Sequence, residues 1–142
     1  MKYIKGLIFI LIIANIVLSA YLLYIDFSNK PISCFTGEGC SIIKNSPYSY
    51  TFGIKNSIIG TITFSILFII YFLDYKNKIP KYIFPIISTI GAILAIRFLY
   101  IQFFIIGSVC SNCLIADSIA IIIAALSIYN YSEERAFSSS VE

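Results

Sequence analysis

Four cysteines carry the reactive chemistry available to this chain, and they come in two pairs, Cys34 with Cys40 and Cys110 with Cys113. The second pair is a CxxC, Cys110-Ser111-Asn112-Cys113, at the mouth of an apolar run. The first lies in the loop Ser33-Cys34-Phe35-Thr36-Gly37-Glu38-Gly39-Cys40. A CxxC brings two sulfurs within reach across one helical turn, so that one attacks and the other resolves. Ser111 or Asn112 is the expected cap of a helix starting near Cys113, whose N-terminus favours a thiolate at Cys113. Gly37 and Gly39 leave the other pair on a flexible loop. Exchange requires one sulfur to approach another in line. A mobile pair therefore meets a soluble partner first and the fixed CxxC second. Two dithiols arranged this way read as an electron relay. The plainer alternatives are two inert disulfides, which a membrane bundle needs less than a small soluble domain does, or a zinc site. Zinc suits the CxxC but fits a partner pair with five residues between its cysteines poorly.

Little else in the chain competes with the cysteines. There is no histidine, which excludes bis-His haem, CxxCH attachment, His-metal sites and His-assisted nucleophiles. There is no P-loop and no GxGxxG. The net charge of +3 is too weak to suggest a nucleic-acid partner.

The elements that position the cysteines belong in a membrane. The chain is 59% hydrophobic and 12% charged, with mean hydropathy +0.92, whereas soluble domains carry roughly a quarter charged residues. Four apolar runs predict spans at about 6–25, 56–73, 82–109 and 113–131, each able to cross about 30 Å of hydrocarbon. Only Arg97 charges the third run and only Asp117 the fourth. The first run exceeds the usual ~7–15-residue core of a signal peptide, and Leu18 suits cleavage poorly, so it is expected to stay as an anchor. The expected fold is an all-α membrane protein, a four-transmembrane-helix bundle forming one redox domain over 1–131. Lys2, Lys5, Lys76, Lys78, Lys81 and Arg135 would share one side, predicting cytoplasmic termini and a cell-membrane protein. The loop 26–55 and both cysteine pairs then face outward, where disulfides persist. Within that loop Ser41 to Asn45 predicts a short interfacial helix stopped by Ser46-Pro47, with Tyr48, Tyr50 and Phe52 at the interface. The polar tail 132–142 is expected to be disordered.

Three polar residues of the spans warrant a reading. Asp117, one turn beyond Cys113, is an ionisable group within a span and a candidate for hydrogen bonding to a bound molecule or for proton delivery; the plainer reading is a hydrated carboxyl at the mouth. Arg97 reads as structural, snorkelling or bonded within the bundle. Asn56 reads from its position alone as a helix cap.

At these residues the chain resembles the vitamin K epoxide reductase family, in its small archaeal or bacterial-like form, over roughly Gly6 to Tyr131. The motifs in order are Cys34 and Cys40 with Ser41, Ser46-Pro47-Tyr48, Phe52-Gly53-Ile54, Asn56-Ser57-Ile58-Ile59-Gly60, and the CxxC opening the fourth span. The resemblance implies a four-helix bundle around a quinone of the menaquinone, ubiquinone or vitamin K type. It implies that Cys110 and Cys113 are the redox centre, with Cys113 nearest the ring. Cys34 and Cys40 become the shuttle, Cys40 pairing transiently with Cys110 and Cys34 meeting the partner. Asn56 matches an asparagine that hydrogen-bonds a quinone carbonyl, and Ser46 a serine or threonine common after the shuttle pair. Vertebrate members have a tyrosine where Asp117 stands, and their shuttle spacing is longer. A fused thioredoxin-like domain is not expected, so a separate thioredoxin-fold protein is the expected partner. The implied function is a quinone-dependent thiol oxidoreductase supporting disulfide formation. A DsbB-like oxidase has the two pairs in the opposite order; a non-catalytic bundle with structural disulfides is the other alternative.

Overall fold

Backbone polar groups in lipid have to be satisfied within the segment that carries them, and the apolar runs do so as helices. In the structure, a computed structural model describing residues 2–28 and 38–139, α1 covers Lys2–Ser28 and a short α2 covers Gly39–Asn45. A single turn of 3-10 helix at Pro47–Ser49 leads into a two-stranded hairpin, β1 Tyr50–Thr51 and β2 Ile54–Lys55. Helices α3 (Asn56–Tyr75), α4 (Ile83–Tyr100) and α5 (Ser111–Ser139) complete the chain, α4 being prolonged by a π-helical turn, Ile101–Ile106. Four of these helices are long and apolar enough to cross a membrane. The chain is an integral membrane helical bundle, as expected.

The long helices alternate in direction. The packed neighbours are α1 with α3 and α5, and α4 with α5 and α3. Ile8, Ile12, Leu67, Tyr71, Phe84 and Ile123 form a buried core between them. This core lies toward the end where Lys5 Nζ meets Glu134 Oε1 at 2.6 Å and Tyr71 donates its hydroxyl to the Lys5 carbonyl at 2.7 Å. Residues such as Ile10, Val17 and Ile93 stay more than 60% exposed, as lipid-facing side chains must. Fully buried Asn15 donates to the Ala116 carbonyl at 3.1 Å, and the Ser88 and Ser127 hydroxyls lie 2.7 Å apart. Such polar contacts join membrane helices where apolar burial gives no net drive.

Two expectations change. The tail is helical through Ser139 rather than disordered from 132. Glu133, Glu134, Arg135 and Ala136 are good helix formers, and the Glu134–Lys5 pair docks that end against α1. The loop also contains a hairpin that its sequence does not announce. Phe52 and Gly53 form the turn at φ 54 and 79, the doubly left-handed geometry that two-residue hairpins favour, and Phe52 projects 99% exposed. The loop helix forms close to where it is predicted. Ser46 ends it in extended conformation, and its hydroxyl accepts from the Tyr48 N–H at 3.1 Å.

Candidate active site

The CxxC begins α5 in a specific way. Cys110 is the residue before the first helical one, and its carbonyl accepts the Leu114 N–H at 2.8 Å. Its sulfur accepts the Cys113 N–H at 3.3 Å. Cys110 thus does what a serine or aspartate N-cap does, and neither Ser111 nor Asn112 is the cap. The expectation of a thiolate favoured at Cys113 moves accordingly, because the free N–H groups of the helix end converge on the Cys110 sulfur. A hydrogen bond with the Cys113 thiol is the main influence lowering the Cys110 pKa below the ordinary thiol value. Burial works against it, and the backbone N–H groups of Cys113 and Asn112 reinforce it. Both cysteines are free thiols.

The approach to Cys110 is set by the preceding turn. The π-helical turn ends at Gly107, whose φ of 68 is left-handed, and the chain then doubles back to reach α5. The wider turn carries Gln102 into the bundle, only 4% exposed. Its Oε1 accepts the Cys110 N–H at 3.1 Å, and its Nε2 donates toward Asp117 Oδ2 at 3.5 Å.

Across from α5, α2 lays Cys40 into the bundle at 1% exposure. Cys40 is not a free thiol. Gly39 is not a hinge, contrary to the reading of a flexible loop. It lies inside α2, and a Cβ there would stand 2.3 Å from the Val109 carbonyl oxygen. Only glycine lets α2 approach the strand of chain before the CxxC this closely. The other end of α2 is tied down through Asp26, near the end of α1. Lys44 and Lys55 both place Nζ 3.9 Å from Asp26 Oδ1, the Ser57 hydroxyl donates to Oδ2, and Lys44 donates to the Ile25 carbonyl at 3.3 Å.

Asn56 is the first residue of α3, with Lys55 as the cap, so the helix-cap reading does not hold. Its Nδ2 donates to the Tyr48 carbonyl at 2.8 Å, and its Oδ1 accepts from Thr51 Oγ1 at 2.7 Å. These bonds fix the amide against the hairpin and leave its second N–H for another acceptor. Cys40, Asn56, Cys110, Cys113 and Asp117 all line one cavity of about 210 Å³ between α1, α3, α4 and α5. Phe64, Leu94, Phe98 and Ile106 supply apolar wall, while Asn56, Gln102 and Asp117 supply polar groups. Apolar walls with a few placed polar groups are what a ring bearing carbonyls requires.

A model of the vitamin K epoxide reductase family matches residues 6–128. The chain belongs to this family. No individual curated protein matches its sequence. The vitamin K epoxide reductase family points to a membrane thiol oxidoreductase, and its enzymes are quinone-linked in general.

Of the residues given roles by resemblance to the vitamin K epoxide reductase family, Cys40, Asn56, Cys110 and Cys113 meet at the cavity, where Asp117 joins them, and Cys34 lies outside the described residues. Ser46 shapes the turn after α2 and does not line the cavity. Arg97, in the last turn of α4, is exposed on the outside of the bundle, so it belongs to the lipid-facing surface. Gln102 and Asp26 escape a reading that searches the spans for charge and the loops for cysteine. An uncharged amide eight residues before Cys110 in an apolar run is the signal for the first, and an acid closing α1 is the signal for the second.

Proposed function

We propose that this protein is a quinone-dependent thiol–disulfide oxidoreductase that reoxidises a thioredoxin-fold partner through Cys34–Cys40 and Cys110–Cys113. The observation that carries the reading is one cavity lined by Cys40, Cys110, Cys113, Asn56 and Asp117. We take the loop end to face outward, on the strength of the lysine and arginine distribution, so that the net result is disulfide formation in exported proteins.

A thiolate of the reduced partner attacks Cys34, and Cys40 leaves as a thiolate. The partner's second thiolate then resolves the mixed disulfide, and the partner departs oxidised. Cys40 next attacks Cys110 of the oxidised CxxC, and Cys113 leaves. Cys34 resolves the Cys40–Cys110 disulfide, which restores the loop pair and leaves the CxxC reduced. Oxidation of Cys110 and Cys113 back to a disulfide releases two electrons and two protons. A bound quinone supplies the acceptor for both. Asn56, through its second N–H, and Asp117 are the groups that would hold its carbonyls. The apolar walls exclude water, which keeps the thiols from competing oxidants. The lowered Cys110 pKa suits it to leave as thiolate or to attack, since exchange proceeds through the thiolate.

The test mixes purified protein anaerobically with a reduced thioredoxin-fold protein and menaquinone or ubiquinone analogues, and follows quinol by absorbance. Quinol is expected from the native protein and none from Cys113→Ala. Quinol at the native rate from that variant, or none from the native protein with any quinone, sinks the proposal.

A further inference from the structure

Gln102 is a buried polar side chain to which the relay just described gives no task. Its neighbours on the π-helical turn, Phe103, Phe104 and Ile105, are 51%, 76% and 49% exposed, while Gln102 is turned inward. Insertions of this kind in a helix are frequent at functional sites. A primary amide in a span is costly unless both of its ends are bonded, and both are. The direction of each bond follows from the chemistry. The Cys110 N–H can only donate, so the amide oxygen faces it, and the amide nitrogen is left to face the carboxyl. Asp117 Oδ2 is then the oxygen that faces the amide donor, which favours Oδ1 as the seat of a proton on this carboxyl.

We infer that Gln102 is a positioning residue that holds Asp117 and the head of the CxxC in a single frame and commits one carboxyl oxygen, leaving the other to relay a proton. The inference rests on the proposed quinone reaction for what that proton is used for. The protons balance. Asp117 would pass its Oδ1 proton to one quinone oxygen and regain one of the two that Cys110 and Cys113 release on forming their disulfide, the other released proton going to the second quinone oxygen. The electrons pass from the thiols and not through the carboxyl. One amide therefore sets the geometry of the electron donor and of the proton carrier together.

The alternative is that Gln102 only joins helices. Two variants separate the readings. Gln102→Leu removes both bonds. Gln102→Glu keeps an oxygen for the Cys110 N–H but replaces the amide donor with a second carboxyl, which can donate to Asp117 only by holding a proton that the pair must then share. Quinol formation is expected to fall between about 10- and 100-fold in each, the cost of small misplacements in a site, with KM for quinone changing less than kcat. In a cycle with Asp117→Asn, the double variant Gln102→Leu/Asp117→Asn is expected to be no slower than the slower single variant, as residues acting as one unit are not additive. Rate losses that multiply, or a native kcat in Gln102→Glu, overturn the inference. A second measurement needs no quinone: iodoacetamide labelling of Cys110 in reduced protein, read by mass spectrometry. Gln102→Leu is expected to change the labelling rate severalfold, and Gln102→Glu to restore it. Equal rates in all three proteins overturn the hold on Cys110. If the native protein reduces no quinone, the functional reading falls while this measurement still reports on Gln102. If Gln102→Leu fails to fold, Gln102→Glu alone decides, by lowered kcat with unchanged labelling.

Discussion

At the end of the bundle where Lys5 meets Glu134, large side chains fill the space between helices. Ile8, Ile12, Leu67, Tyr71, Phe84 and Ile123 are all 7% exposed or less. At the Cys110 end the same four helices turn small residues inward, and the space stays open. Gly60, Gly91, Ala95, Ala116 and Ala120 line it. Small residues in membrane helices usually let backbones approach each other. Here a Cβ added to Gly91 meets nothing within 4 Å, and one added to Gly60 meets only the Ser19 hydroxyl oxygen at 3.6 Å. These glycines therefore make room for something other than a neighbouring helix. The solid end keeps the helices in place so that the hollow end need not, and polar groups such as Gln102 and Asn56 are anchored in that hollow end by bonds rather than by packing.

The contrast is broken most severely by filling the hollow. Gly91→Leu is expected to fold as stably as the native chain, because the added side chain enters empty space. Its kcat/KM for quinone is expected to fall by about 100-fold, the upper part of the range that even one methylene decides in a pocket. Detergent-solubilised melting and quinol formation, measured on the same preparation, decide it. Loss of stability with normal turnover would mean that α4 needs that glycine for packing. The reverse experiment empties the solid end. Ile123, fully buried, is expected to cost about 2 kcal/mol of stability as alanine, the low end for soluble cores, because lipid removes much of the transfer term. Its quinol formation per folded molecule should stay within about twofold of native. A large loss of turnover in Ile123→Ala would show that the two ends are not separable.

The division between the ends is the part of the molecule that composition hides. The spans are legible because lipid leaves an apolar run few alternatives to a helix, and the CxxC announces itself by spacing. Gly60 and Gly91 are another matter, since glycine reads alike whether it brings helices together or leaves them apart. The cap is hidden for a related reason. Ser111 and Asn112 are the better capping residues, but the chain enters α5 from the turn at Gly107, and that entry puts Cys110 at the cap position. Gln102 is invisible to a search for charge because its importance comes from two partners, one of them a backbone N–H. The hairpin rests on Phe52 accepting a left-handed conformation that is normally left to glycine or asparagine. Only the helical end of the tail was open to a better reading, from the propensities of Glu133 to Ala136.

The smallest predicted effect tests how the loop is coupled to the hollow end. Gly39 sits where a Cβ would lie 2.3 Å from the Val109 carbonyl oxygen. That oxygen belongs to backbone, one residue before Cys110, so it cannot swing aside as a side chain would. Gly39→Ala therefore has to lift α2, and Cys40 with it, away from the CxxC. The tether from Lys44 to Asp26 holds the far end of α2, so the displacement concentrates at Cys40. Displacement of an attacking atom by a fraction of an ångström toward 1 Å lowers rates by up to about 10²-fold, and a tethered helix should suffer the lesser part, about tenfold. Transfer from the loop pair to the CxxC is expected to slow by that factor in single-turnover exchange, while quinol formation from a chemically prereduced CxxC stays native. If both rates fall together, α2 is part of the quinone cavity itself. If neither changes, the close contact of Gly39 with Val109 does not set the approach of Cys40 to Cys110.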